Sequence, residues 1–283
     1  MKIRILTDSA SDLADAGFEG LTVLPMNVRF GTEEYLDGVN LSHHAFYEKL
    51  IECESLPATS QISPFAFAQA FQAAQAAGEA VIVITISSRL SGTYQSAGIA
   101  AQECGGEIYL VDSETVCVGQ RILVEYACRL AKNGMDARSI AAALENEKKR
   151  VCLVALLDTL EYLRRGGRIS KTKGVVGEML SIKPVIGIKD GEVVMLGNAR
   201  GSKNGNNLLT QQIAAAGGID FAMPYALGYT GLNDTLLQKY IQDNAHIWKA
   251  HTDSLPIGTV GGTIGTHAGP GAIAVAFFRR IQI

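Results

Sequence analysis

The stretch that most constrains the fold is 81–94, VIVITISSRLSGTY, where an apolar β-branched run gives way to hydroxyls, a glycine and a helix-compatible sequence. Val81, Ile82, Val83 and Ile84 leave neither face of a strand polar. Such a strand is buried on both sides, as in a parallel sheet covered by helices. Ligands of open α/β sheets sit beyond the carboxyl ends of strands. Here that end offers Thr85, Ser87, Ser88, Ser91 and Thr93. Ser91 and Gly92 precede a helix-compatible run at 94–101, so they read both as a serine-rich cap and as one wall of a polar site.

The surrounding segments repeat the same grammar. Ile3, Ile5 and Leu6 mark a first strand, and Asp8 in the following TDSASDL reads as a helix N-cap. Residues 21–30 read as a second strand interrupted by Pro25. HHAFYEKL forms a helix behind Ser42; His43 and His44, adjacent on it, point in different directions and make a poor metal pair. PATSQISP, 57–64, is a loop dense in hydroxyl and amide groups, and Pro64 opens a helix that Gly78 ends. A strand at 108–111 and amphipathic helices at 120–132 and 136–150 follow. Strand, helix, strand, helix at this spacing requires a parallel sheet with right-handed crossovers.

After 151–157 the texture changes. LEYLRRGGRISK places Arg164 and Arg165 at the end of a helix stopped by Gly166 or Gly167. PVIGIKDGEVVML, 184–196, is a hairpin turning at Lys189, Asp190 and Gly191. Antiparallel pairing so late in the chain predicts a second domain. The expected division is 1–155, an N-terminal α/β domain with a parallel sheet and flanking helices, and 156–283, a C-terminal α/β domain containing antiparallel strands. GNARGSKNG, 197–205, reads as a polar loop carrying Arg200 without a local acid, ahead of a helix at 206–216. Residues 223–230 and 246–252 read as strands on either side of a helix at 233–243. IGTVGGTIGTHAGPG, 257–271, reads as glycine-dense turns presenting His267 before a buried strand, AIAVAFF.

Composition removes several function classes. A net charge of -3, with cations scattered apart from Arg164, Arg165 and Arg168, gives no nucleic-acid footprint. Five cysteines without CxxC spacing fit reduced thiols in a cytoplasmic protein and predict no metal site. No secretory n-region and h-region pattern opens the sequence, and no apolar run reaches the ~20 residues of a membrane span. Dealings with lipid are thus expected in water or through transient contact at a membrane surface. GxxxxGK[ST] is absent, and GTVGGTIG lacks the GxGxxG order, so no nucleotide cofactor is expected. A serine hydrolase acting on acyl esters would use Ser91 as nucleophile and His267 as base, but Arg89 and Leu90 precede Ser91 where a nucleophile elbow has glycine.

Six motifs in order, KIRILTDSASDL, PATSQISP, VIVITISSRLSGTY, LEYLRRGGRIS, KPVIGIKDGEV and IGTHAGPGAIAVAF, resemble the DegV family of fatty-acid-binding proteins along nearly the whole chain. The resemblance implies two α/β domains, the N-terminal one binding lipid and the C-terminal one closing over it. It implies a noncatalytic carrier of a long-chain fatty acid, with no cofactor beyond that ligand. Bacterial members of the FakB type present the carboxylate to a separate ATP-binding fatty acid kinase subunit, which phosphorylates it and feeds phospholipid metabolism. By motif, Thr59, Ser91 and His267 match the carboxylate-binding positions. Arg200 matches a loop whose basic residue serves phosphate or partner contact, although GNARGSKNG has fewer cations than is usual there. That departure keeps a kinase-independent lipid carrier or sensor as an alternative.

Overall fold

The structure is a computed structural model that describes residues 2–13, 16–169 and 182–281. Ser170 and Lys171 of the LEYLRRGGRISK motif lie outside the described residues. The first half runs β1 (Lys2–Asp8), β2 (Leu21–Leu24), β3 (Asn27–Phe30), β4 (Glu33–Leu36), α1 (His43–Glu52), β5 (Ala58–Ser60), α2 (Pro64–Ala76), β6 (Glu79–Thr85), α3 (Thr93–Cys104), β7 (Ile108–Asp112), α4 (Val118–Lys132) and α5 (Ala137–Glu147). The second runs β8 (Val151–Leu156), α6 (Glu161–Arg165), β9 (Ile182–Lys189), β10 (Glu192–Arg200), α7 (Gly201–Ala215), β11 (Tyr225–Tyr229), α8 (Thr235–Asp243), α9 (Ala245–Trp248), β12 (Ile257–Thr259), α10 (Gly262–Ala268) and β13 (Ile273–Phe278).

The parallel sheet has the order β2-β1-β6-β7, with β6 in its middle. Side chains alternate across a strand, so Val81 and Val83 meet Leu6 with Phe67 and Phe71 of α2, while Ile82 and Ile84 meet Ile5 and α4. Continuous β-branching is thus what two covered faces require. A second sheet has the order β10-β9-β8-β13-β11-β12 and is antiparallel except between β11 and β12. Its inner face, with Leu153, Ala155 and Ala274, shares a core with α4; its outer face, with Val154, Val275 and Phe277, packs on α7 and α8. Helix α4 is therefore common ground between the two sheets. A small sheet, β4-β3-β5, packs against Phe46 and Tyr47 of α1.

Several local readings change in the tertiary structure. The expected strand at 21–30 is two strands in different sheets, because Pro25 cannot supply a ladder hydrogen bond. PATSQISP contains β5, a three-residue strand too short to leave a periodic signal, paired with β3. GNARGSKNG is not a loop: Gly197 to Arg200 prolong β10 past an irregularity after Met195, and Gly201 starts α7. Segment 246–252 is not a strand, since Trp248 turns in beside Phe221, Tyr225 and Tyr240, and β12 takes the sheet edge instead. In the glycine-rich stretch, His267 is presented by a helix, α10, rather than by a turn. Residue 155 itself falls inside β8, a middle strand of the second sheet.

Candidate functional site

The loop after β6 is held from the second half of the chain. Ser87 is fully buried and its Oγ donates to the Gly191 carbonyl at 2.8 Å. That carbonyl belongs to the β9–β10 turn, where Asp190 and Gly191 have φ of 52° and 80°, the left-handed pair of a type I′ hairpin. Ser88 and Thr93 are also engaged in local structure, Ser88 N donating to Asp112 Oδ1 at 3.1 Å. Of the five hydroxyl residues at this strand end, Ser91 alone borders the cavity described below. Its Oγ lies 2.9 Å from Thr93 Oγ1 and accepts from Thr93 N at 3.3 Å. Gly92, the N-cap residue of α3, has no side chain to do this, so Ser91 caps from one position outside.

Thr59 of β5 and His267 of α10, 208 residues apart, meet with Thr59 Oγ1 2.9 Å from His267 Nε2. Burial, together with the nearby Arg168 charge, pushes the His267 imidazole down to about 4 from 6.5. The ring is therefore neutral near pH 7. Among the described residues its Nδ1 has no hydrogen-bond partner. Gly166, at the end of α6, packs against that nitrogen so closely that a β-carbon would collide with it.

Helix α10 is seated by two carboxylates from the other end of the chain. Asp12 Oδ1 accepts from Gly261 N at 2.6 Å; Asp37 accepts from Gly262 N at 2.8 Å, Thr263 N at 3.0 Å and Thr263 Oγ1 at 2.6 Å. These satisfy helix-start donors that lack intrahelical acceptors. Burial and the neighbouring Asp37 charge both raise the Asp12 carboxyl pKa. Asp8 does cap a short turn, accepting from Ala10 N, but it also accepts from Ile86 N and Gln120 Nε2 and so ties β1, β6 and α4 together. It is a structural group whose carboxyl burial pushes up to about 6.

Thr59, Ser91 and His267 all border one cavity between the two sheets, whose empty space, open mouth included, is about 910 Å³. Leu153, Ala155, Ile186 and Ala274 form part of its apolar wall. Arg168 and Gln61 are among the polar residues of this site that escaped the sequence reading. Arg168 borders the cavity and donates to the Leu90 and Gly166 carbonyls. Its signal was an arginine placed beyond the glycine stop, where the helix dipole has no use for it. Gln61 also borders the cavity and donates to Ser96 Oγ at 2.9 Å while lying against Gly92. Arg200 is elsewhere: it ends β10, is exposed, and does not border the cavity. His43 and His44 gather no metal-binding group among the described residues; His44 Nδ1 sits 3.4 Å from Glu48.

These features define a class: a two-domain α/β protein clasping an apolar cavity with a polar end built from both halves of the chain. The model of the DegV family, described as uncharacterised proteins, matches residues 2–280. The chain belongs to the DegV family. A DegV domain-containing protein of Deinococcus radiodurans is 34% identical over 282 residues, covering 98% of each chain. The solved structure of a fatty-acid-binding DegV family protein from Thermus thermophilus has a TM-score of 0.87 at 29% identity, covering 98% of this chain and all of that one. A stearic-acid-binding protein from Eubacterium ventriosum has a TM-score of 0.87 at 25% identity, covering 98% of both chains.

Proposed function

We propose that this chain carries a long-chain fatty acid between its sheets and presents the carboxylate, held by Thr59, Ser91 and His267, to a separate ATP-binding fatty acid kinase subunit that converts it to acyl phosphate. The observation that carries this reading is the Thr59–His267 contact in a largely apolar cavity, in a family whose similar structures hold fatty acids. Hydroxyls donate to carboxylate oxygens, and a neutral imidazole donates through one nitrogen. The Arg168 guanidinium favours an anion at the same end.

Magnitudes divide the work between tail and head. At about 0.8 kcal/mol per buried methylene, a tail of roughly fifteen contributes on the order of 12 kcal/mol gross, before association costs. Head-group hydrogen bonds at about 1 to 3 kcal/mol each fix direction and leave the carboxyl reachable. The carrier is noncatalytic and cytoplasmic in this reading, exchanging its lipid at a membrane surface. Arg200, exposed beyond the cavity, is assigned to phosphate or partner contact. The hydrolase alternative gains nothing from the geometry, because Ser91 Oγ is paired with Thr93 and His267 Nε2 with Thr59.

Native mass spectrometry of protein purified from bacteria tests lipid carriage. An acyl-chain adduct, or uptake of added hexadecanoate, is expected; a clean apo mass that persists with added acid rejects the reading. Reconstitution with a fatty acid kinase ATPase subunit tests presentation, since acyl phosphate forms only if the two proteins dock. Binding without acyl phosphate would leave the kinase-independent carrier.

A further inference from the structure

The cavity floor has a direction. Cross-strand register places Ile186 of β9 beside Ala155 of β8, Ala155 beside Ala274 of β13, Ala274 beside Gly228 of β11, and Gly228 beside Gly258 of β12. The first four of these border the cavity. Directly opposed residues point to the same face of a sheet. From Ala155 onward the row is therefore a trough of small residues crossing the strands, with Ile186 at its other end, banked by Leu153 of β8 and by Leu157 just beyond that strand. From Ala155 to Gly228 it covers two strand spacings, about 10 Å.

One end of the trough is walled. A methyl group built on Gly228 would stand 3.0 Å from Val118 Cγ1 and 3.2 Å from Val260 Cγ2, so the two valines close directly over this glycine. Behind them, at Gly258, the strand is covered by Arg121, whose Nη1 lies 2.7 Å from where a β-carbon would sit. Arg121 is paired with Glu125 at 2.8 Å, and a charged pair is a poor continuation for a methylene chain. Helix α10 orients the ligand relative to this wall. Val260 lies just before its first turn and His267 in its last, about 10 Å apart along a helical rise of about 1.5 Å per residue. Thr263, Ile264, His267 and Ala268 turn one side of that helix to the cavity. Head group and wall thus stand at opposite ends of one helix.

We infer that Val260, which borders the cavity and closes over Gly228 together with Val118 behind it, is the chain-length stop of this carrier: the terminal methyl abuts Val260, and the last part of the acyl chain lies across Ala155 and Ala274. This rests on the fatty-acid reading above. Val260→Ala uncovers Gly228, and Val118→Ala does so independently if the first variant fails to fold. Ala274→Leu fills the trough. Competition among dodecanoate, hexadecanoate and octadecanoate on delipidated protein reads the outcome. Each further buried methylene is worth about fourfold in affinity. Either valine variant is therefore expected to raise the octadecanoate preference by about tenfold, and Ala274→Leu to shift preference towards dodecanoate. An unchanged preference in both valine variants, in a protein whose wild type binds both acids, overturns the stop alone. Wild-type protein that takes up neither acid overturns the fatty-acid reading and the stop with it.

Discussion

Gly166 stands against Nδ1 of His267 with no room for a β-carbon between them, although the two residues are 101 positions apart in the sequence. The absence of a side chain at one position sets the place of the imidazole at the other. Gly166 has φ of -72°, so alanine is acceptable to the backbone and only the space is lacking.

Gly166→Ala is therefore expected to push the ring off Thr59 without unfolding the chain. Losing one or two head-group hydrogen bonds corresponds to roughly a tenfold loss of affinity. Calorimetric titration with hexadecanoate checks this, and wild-type affinity in the variant would show that the ring position is not set by Gly166.

Removal of the Ser91 hydroxyl should weaken or misorient the ligand by a similar factor, about three- to tenfold, while the fold persists. The hydroxyl also accepts from Thr93 N, so a small stability loss, about 1 kcal/mol, accompanies the change. Unchanged affinity together with unchanged acyl phosphate formation in Ser91→Ala would remove Ser91 from the head-group site.

Asp37→Ala strips the first turn of α10 of its acceptor. Asp37 is 3% exposed and accepts from two backbone N–H groups and from the Thr263 and Ser9 hydroxyls. Leaving buried donors unpaired costs about 3 kcal/mol or more. Urea denaturation is expected to show that loss, with excess ligand recovering only part of it because His267 is no longer held. A loss under about 1 kcal/mol would mean that α10 is seated by packing alone.

Acid should act on His267 and Asp8 in opposite senses. The folded His267 binds its proton only near pH 4 against 6.5 for an ordinary imidazole. The unfolded chain is protonated first, so the stability tied to this residue is present above about pH 6.5 and lost as pH falls towards 4. The loss is of the order of 3 kcal/mol. Asp8 is raised to about 6 from 3.8, so falling pH across that interval favours the folded state. Unfolding of wild type and His267→Gln, measured in parallel from pH 7 to 4, isolates the first effect. The wild type should lose stability relative to the variant across this window, and a constant difference would contradict the neutral buried ring.

The elements that were legible in the sequence depend on neighbours close along the chain. Four β-branched residues announced β6, the Asp190-Gly191 turn announced its hairpin, and Ser42, Ser63 and Asp136 cap the helices they precede, each accepting a helix-start N–H. Where a segment's state hung on remote partners, local pattern pointed elsewhere. Trp248 became helical because an aromatic cluster receives it, and the glycines of α10 hid a helix because their worth lies in letting it approach Phe46, Tyr47 and Asp37.

The sequence by itself determined the chain's family and the covered parallel strand. Tertiary structure decided that Thr59 touches His267, that Arg168 and Gln61 join them, that Arg200 does not, and that Ala155, Ala274 and Gly228 line up across three strands. The physical reason is the range of the forces involved. Caps, turns and burial patterns are written within a few residues, whereas a cavity is the space left when register and helix seating have been settled by contacts between opposite ends of the chain.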